Sequence, residues 1–549
     1  MKSKSPLVLT WLLSIPALAW AQTVPSAGSQ IQQIPAAPQP PRPAATLPLA
    51  PAAESSGETG EKGPQIEVRQ LHLTGVHAYS EAALLSAINW KVPQTLTLAQ
   101  LRAWADRITH YYRAHGYFLA QTYLPQQDIR DGVVTLTVLE GHYDQLAVRN
   151  QSRLHDRVPQ ALLQGLTTGD PVTLAPLERR LLLLSDLPGV QVKSTLTPGA
   201  SVGTSDLIVD VDPGQTVTGS VEADNQGSRY TGQERLGATV NLNNLAGWGD
   251  VLSVRALSSG RRLNYARLAY QGQAGVFRLG ASYADMNYAL GREFAYLDAH
   301  GGTQITSVFG AYPWLRSRDR NVSIQVSYDD KSFHDVQDSV GLIADKSAHV
   351  WTATFLGDAR DAWLQGGVNR YAVTVTQGHL SAPLTEAHSD GGYSKLSWTL
   401  NRVQAISSAT SVQVSLSGQV ASKNLDSSEK MELGGAQAVR AYPQGELYGD
   451  QGYLASIEAR WLLPRLTDKQ PGQVQAVSFI DSGTAFVNKS PWDASDNRRT
   501  LSGIGVGVNW IGHNDLVVKA FVAHRIGAAK ATSAPDAGAR FWIQAVQYF

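Results

Sequence analysis

The sequence has no cysteine in 549 residues. That excludes thiol catalysis, Cys-ligated zinc, iron–sulfur clusters and any disulfide framework. Charge is scarce as well. Charged residues make up 17%, where an ordinary soluble domain has about 25%. The 46 Lys+Arg balance 46 Asp+Glu, and a neutral chain lacks the basic surface that displaces counterions from phosphates, so nucleic acid is not an expected partner. No stretch of ~18 apolar residues follows residue 22, which excludes helical membrane spans. His110 and His115 stand five apart, the wrong spacing for one helix face. No metal or cofactor is expected. At 549 residues the chain predicts about three or more domains.

What is present begins with an export signal. Lys2 and Lys4 precede a mostly apolar stretch from Leu7 to Trp20, and Ala19-Trp20-Ala21 gives the small-x-small cleavage pattern. Residues 1–21 are therefore a signal peptide. Residues 22–64 hold nine prolines and no Phe, Trp or Tyr. Such a segment buries too little to offset its chain entropy, and it reads as a disordered tether.

From Gln65 the pattern turns to mixed α and β. Ile66 to Leu73 alternates as a strand, and Ser80 to Asn89 reads as a helix. Leu98, Leu101, Ala105, Ile108 and Tyr112 fall at helical spacing on a second helix, and strands follow near Phe118–Leu124 and Val133–Leu139. The same β-α-α-β-β order recurs, with helices over Val158–Leu166 and Leu174–Leu184 and a last strand near Asp206–Val211. Two units, 65–142 and 143–213, are expected.

After Pro213 helical periodicity stops and strict alternation takes over. Val322, Ile324, Val326 and Tyr328 alternate with Ser323, Gln325 and Ser327; Ile504, Val506, Val508 and Trp510 alternate with Gly503, Gly505, Gly507 and Asn509. One face is apolar and the other small or polar, the pattern of a sheet between lipid and a wet lumen. Sixteen such segments share residues 214–549, about 21 residues each, which suits membrane-crossing strands of ~9–11 residues with their connections. An open edge would leave backbone groups unpaired in lipid, so the sheet must close. The expected fold is mainly β: a sixteen-stranded antiparallel transmembrane barrel preceded by the two β-α-α-β-β units.

Two short motifs stand out in the barrel. Val439-Arg440-Ala441-Tyr442 lies in the longest connection, 422–451, between the eleventh and twelfth strands, and Phe479-Ile480-Asp481-Ser482-Gly483 lies on the thirteenth. With the signal, the two units and the strand count, they resemble the two-partner secretion transporters, also called haemolysin secretion/activation proteins, of the POTRA-barrel superfamily. Gly116-Tyr117, Leu124-Pro125-Gln126 and Glu140-Gly141 resemble the first POTRA unit, Leu187-Pro188-Gly189-Val190 the second, and Gly247-Trp248-Gly249-Asp250 the first barrel strands. The likeness spans roughly 65–549.

The resemblance implies that the long loop folds into the lumen, where Val439, Arg440 and Tyr442 meet Phe479, Asp481 and Gly483, with Arg440 facing Asp481. Alternation independently puts Phe479, Asp481 and Gly483 on one face, and a carboxylate belongs on the lumen side. Gly483 is expected to leave room for the loop backbone. The usual glycine of the loop motif is replaced by Ala441, which would be strained if the position needs φ > 0. Many members carry a plug helix at the N-terminus; the proline-dense 22–64 shows no such period. The terminal Phe549 is implied to aid recognition by the barrel-insertion machinery.

Gly199-Ala200-Ser201-Val202-Gly203 fits the nucleophile-elbow pattern, but it follows Pro198 and precedes a strand, so it reads as a turn and no enzyme is expected. The function implied is an outer-membrane pore that exports a large partner exoprotein bearing an N-terminal secretion domain, without ATP, in a Gram-negative bacterium with the two units in the periplasm. An insertase like BamA and a passive porin are the alternatives. An insertase usually has more POTRA units than 65–213 can hold, and a porin needs no periplasmic repeat.

Overall fold

The computed structural model describes residues 24–40, 64–91, 93–382, 388–465, 472–492 and 494–549. The expected signal peptide lies outside them. So does 41–63, the larger part of the expected tether.

The first unit folds around the helix Leu98–Ala114, whose start is fixed by a capping box: Gln100 N donates to Thr97 Oγ1 (3.3 Å) and Thr97 N to Gln100 Oε1 (2.8 Å). Leu101, Ala105, Ile108 and Tyr112 are buried, and Leu98 is exposed instead of joining them. They face a three-stranded sheet in which Val133–Leu139 lies between Gln70–Thr74, parallel, and Gln121–Tyr123, antiparallel. A short strand, Gln94–Leu96, pairs with Ile66–Val68 and adds to the expected order. Phe118 and Leu119 fall outside any strand and pack into the core of the second unit.

The second unit repeats the plan with helices Arg157–Leu163 and Leu174–Ser185 and sheet order His142–Asn150, Thr204–Pro213, Val190–Pro198. Its core is Leu162, Leu177, Leu181, Leu184, Leu207 and Val209. The last strand, parallel to the first, fills the middle of the sheet, and the chain passes from it into the barrel.

Sixteen antiparallel strands, Val217–Asp224 to Ala539–Tyr548, form a closed barrel. Outward positions are apolar: Ile504, Val506 and Val508 are 51%, 62% and 43% exposed, while Gly503, Gly505 and Gly507 face in. Among the described residues no helix is long and apolar enough to cross a membrane. The three longest connections, 422–450, 526–538 and 487–497, all lie at the far end from the two units.

Residues 24–40 correct the expectation of a disordered tether. They run down the lumen, and Ala27–Gln32 is a helix. Ala27 N donates to Asp335 Oδ1 (2.7 Å) near the far end of the seventh strand, Arg320–Gln337. Tyr548 OH donates to Gln39 C=O (3.0 Å) at the end facing the units. Ala27 lies in an apolar cluster of the barrel interior that includes Met286, Tyr288 and Phe333, with Val24, Ile31 and Ile34 packed against it, while the amide side chains make polar contacts. Gln30 is fully buried and accepts from Thr231 Oγ1 (2.9 Å); Gln33 Nε2 donates to Tyr448 OH (2.6 Å).

Candidate functional site

The connection 422–450, between the eleventh strand (Thr410–Ala421) and the twelfth (Gln451–Leu462), turns back into the lumen. Its stem is a small hairpin in which Met431–Leu433 pairs with Leu447–Gly449. The outer limb is pinned by buried charges. Glu429 takes Lys331 (2.7 Å) and Lys395 (2.8 Å), and Asp426 takes Lys346 (2.8 Å), three lysines from the seventh, tenth (Gly391–Ala405) and eighth (Leu342–Asp361) strands. These pairs tie the stem to the wall opposite the tip.

At the tip, Arg440 meets Asp481 on the thirteenth strand, Gln473–Phe486. Nε donates to Oδ2 (2.9 Å), Nη2 to Oδ1 (2.8 Å), and the Arg440 backbone N to Oδ2 (3.2 Å). The Asp481 side chain is fully buried and that of Arg440 is 9% exposed. The pair is thus a bidentate, charge-assisted contact shielded from water. Ser456 Oγ donates to Asp481 Oδ1 (2.7 Å), and Arg440 Nη1 donates to Glu458 Oε2 (2.8 Å), with Ser456 and Glu458 both on the inward face of the twelfth strand. Arg440 Cζ sits 3.3 Å from the centroid of the Phe479 ring, a cation–π contact.

Other contacts fix the tip to the strands beyond. Trp542 Nε1, on the sixteenth strand Ala539–Tyr548, donates to the Arg440 carbonyl (2.7 Å). Val439 and Tyr442 are fully buried, and Tyr442 OH donates to Ala529 C=O (2.8 Å). Gly505, on the fourteenth strand Arg498–Ile511, lets the Phe479 ring lie flat, since a Cβ there would stand 2.2 Å from Phe479 Cζ.

Two expectations are corrected. Ala441 has no left-handed φ, so its methyl is not strained; it is received by Gly503. Gly483 admits the Leu433 side chain from the stem of the loop, not its backbone. The structure otherwise brings together Val439, Arg440, Tyr442, Phe479, Asp481 and Gly483 in one cluster. Phe549 lies apart at the seam, exchanging backbone hydrogen bonds with Gly219 (2.9 and 3.1 Å). Sequence reasoning missed Ser456, Glu458 and Trp542. Alternation places Ser456, Glu458 and Arg460 on the inward face, a usable signal, but nothing marks Trp542 apart from other barrel aromatics.

The barrel and the first periplasmic unit match known protein families. The family model for haemolysin secretion/activation protein ShlB/FhaC/HecB matches residues 203–510, and that for the ShlB-type POTRA domain matches 66–141. The chain belongs to this haemolysin secretion/activation family. The chain is 27% identical over 451 residues to the heme/hemopexin transporter protein HuxB of Haemophilus influenzae strain 86-028NP, covering 79% of this chain and 78% of that protein. It is 24% identical over 474 residues to the outer membrane transporter CdiB of Dickeya dadantii, covering 80% and 79%. The solved structure of CdiB from Escherichia coli shares the fold, with a TM-score of 0.73 at 20% identity over 92% of this chain and 94% of that one. As a member, the protein is an outer-membrane transporter of the two-partner type. Its barrel spans the outer membrane, its two POTRA units lie in the periplasm, and its cargo is a secreted partner protein.

Proposed function

We propose that the loop 422–450 is the gate of this pore and that Arg440 and Asp481 are its catch. The observation that carries this reading is the bidentate pair itself: one buried contact holds the tip of a long loop that chain entropy would otherwise release. The N-terminal segment 24–40 is a second obstruction in the same lumen, and both must shift before a polypeptide passes. The two POTRA units present the cargo. Val190–Pro198 is an edge strand of the second unit, and strand addition there gives affinity through backbone pairing with little demand on sequence. Relatives carry names tied to heme/hemopexin and to hemolysin, so the shared pore reads an extended chain and not one cargo's chemistry. Passage needs no nucleotide, since folding of the cargo outside removes it from the return path. Outer-membrane lipid and the barrel-insertion machinery complete the partners.

The test is a double-mutant cycle on Arg440→Ala and Asp481→Ala, read as the open probability of the full chain in planar bilayers. Arg440→Ala leaves the buried Asp481 without a countercharge, at a cost of about 3–5 kcal/mol, whereas Asp481→Ala leaves Arg440 paired with Glu458 and costs less; both raise the open probability. Coupling above about 0.5 kcal/mol supports the catch, and simple additivity sinks it.

A further inference from the structure

A second carboxylate on the inward loop is held by a different loop, and the pair at Arg440 does not use it. Glu446 lies just past the tip, with a fully buried side chain. Its Oε1 accepts from Arg499 Nη2 (2.5 Å), from Thr532 N (2.8 Å) and from Thr532 Oγ1 (3.0 Å). Its Oε2 accepts from Ser533 Oγ (2.8 Å), Ser533 N (3.0 Å) and Thr532 N (3.1 Å). Thr532 and Ser533 belong to the connection 526–538 between the fifteenth strand (Leu516–Arg525) and the sixteenth, at the far mouth of the barrel.

That connection is rich in Gly, Ala, Ser and Pro and has no core of its own. It nevertheless folds inward. Ala529 and Ala531 pack on the cluster that contains Val439, Ala441 and Tyr442, and the Ala529 carbonyl receives the Tyr442 hydroxyl. Arg499 also donates to the Lys530 carbonyl, which adds a tie from the fourteenth strand. A buried carboxylate accepting from two backbone amides, two hydroxyls and a guanidinium is fully satisfied, and the two amides and two hydroxyls of the connection lose this acceptor together if it goes.

We propose that connection 526–538 is a lid over the surface mouth of the pore and that Glu446 is its latch, a positioning residue that ties lid to gate. This rests on the reading of the inward loop as the gate, but the two devices are separable. Arg440 fastens the loop to the twelfth and thirteenth strands, whereas Glu446 fastens the lid to the loop. The lid can lift with Arg440 still paired. Glu446 and Tyr442 hold the lid across the far mouth, which adds to what keeps the tip seated without replacing the pair at Arg440.

The lid carries its own reporter in Lys530, an exposed trypsin site. On intact cells carrying the full chain, Glu446→Gln should speed cleavage after Lys530 at least about fivefold, because cleavage follows the open population of the loop. Cleavage after the exposed Arg261, in the connection between the third and fourth strands, should not change, and the barrel should stay heat-modifiable. Thr532→Val with Ser533→Ala removes the lid-side hydroxyls without touching the inward loop and should act in the same direction. Unchanged cleavage after Lys530 in either inserted variant overturns the latch, as does equal acceleration after Arg261, which would mean general loosening. Failure of both variants to insert also counts against it, since a latch acts on the finished barrel. Parent-like conductance of Asp481→Ala would sink the gate at Arg440 and leave the Lys530 result standing.

Discussion

Where the loop tip meets the fourteenth strand, the Ala441 methyl points at the empty side of Gly503. A Cβ built on Gly503 would stand 2.4 Å from Ala441 Cβ, with the next neighbour, His524 O, at 3.3 Å. Gly503→Ala should therefore push the tip off the wall at a cost of about 1–3 kcal/mol of overpacking, and raise open probability. Adding Ala441→Gly removes the one clashing atom, so the double variant should return toward the parent. A double variant as leaky as Gly503→Ala would show that the tip does not seat as described. This pairing was only half legible in the sequence. The lumen side of Asp481 was readable, since alternation fixes which side of a strand faces the lumen, and its meeting with Arg440 was implied by the family resemblance. The partner of Ala441 was not, because register between strands sets it: Gly503 is opposite Asp481.

The helix Ala27–Gln32 shows what composition conceals at the scale of an element. Its six residues are too few to display a period, although Ala27 and Ile31, four apart, both join the apolar cluster of the lumen. The helix Leu98–Ala114, by contrast, was legible from its apolar spacing because it has one buried side. That buried side ends in a titratable contact. Glu140 accepts from His77 N (2.7 Å), Ala78 N (2.8 Å) and Tyr112 OH (2.8 Å). Burial pushes its carboxyl up, but the amides of Ala78 and His77 and the Tyr112 hydroxyl outweigh this and hold it below the usual carboxylate value. A carboxyl depressed in the folded state stabilises above its unfolded value of about 4.3, and that stability is lost as pH falls through the lower folded value. Hydrogen exchange of the Leu98–Ala114 helix in the full chain should accelerate over that acid range. Glu140→Gln should flatten the response, and an unchanged profile would discard Glu140 as its source. The seam between the last strand and the first is another weak element. Its register runs over five pairs, Gln544–Tyr548 with Ser220–Asp224, where the first and second strands share eight. Phe549 adds two backbone bonds to Gly219 and sets its ring against that glycine. Deleting Phe549 should lower the amount of heat-modifiable barrel in the outer membrane, and equal amounts would assign those bonds no part in assembly.

Across the whole molecule, the second POTRA unit joins the first to the barrel. Arg316, at the end of the sixth strand (Ala299–Arg316), grips Asp186 through Nε (2.7 Å) and Nη2 (2.8 Å), and Arg179 donates to the carbonyls of Pro313 and Trp314 (both 2.8 Å). On another turn, the His155 ring stands 4.9 Å from Trp248, and Leu187 packs at Gly249. The first unit has no such tie to the barrel among the described residues. It leans on the second, with Leu174 N donating to Gly116 C=O (2.9 Å) and Phe118 and Leu119 filling the edge of the second core. Recognition and pore are thus mechanically separate, joined through one unit. Removing 65–142 should abolish secretion of the partner protein while the barrel still inserts, because docking is lost and the wall is not. The deletion also uncovers the apolar edge that Phe118 and Leu119 close, so a variant that keeps residues 114–142 is the cleaner version. If that variant secretes normally, cargo capture belongs to the second unit alone, and its edge strand Val190–Pro198 becomes the place to look.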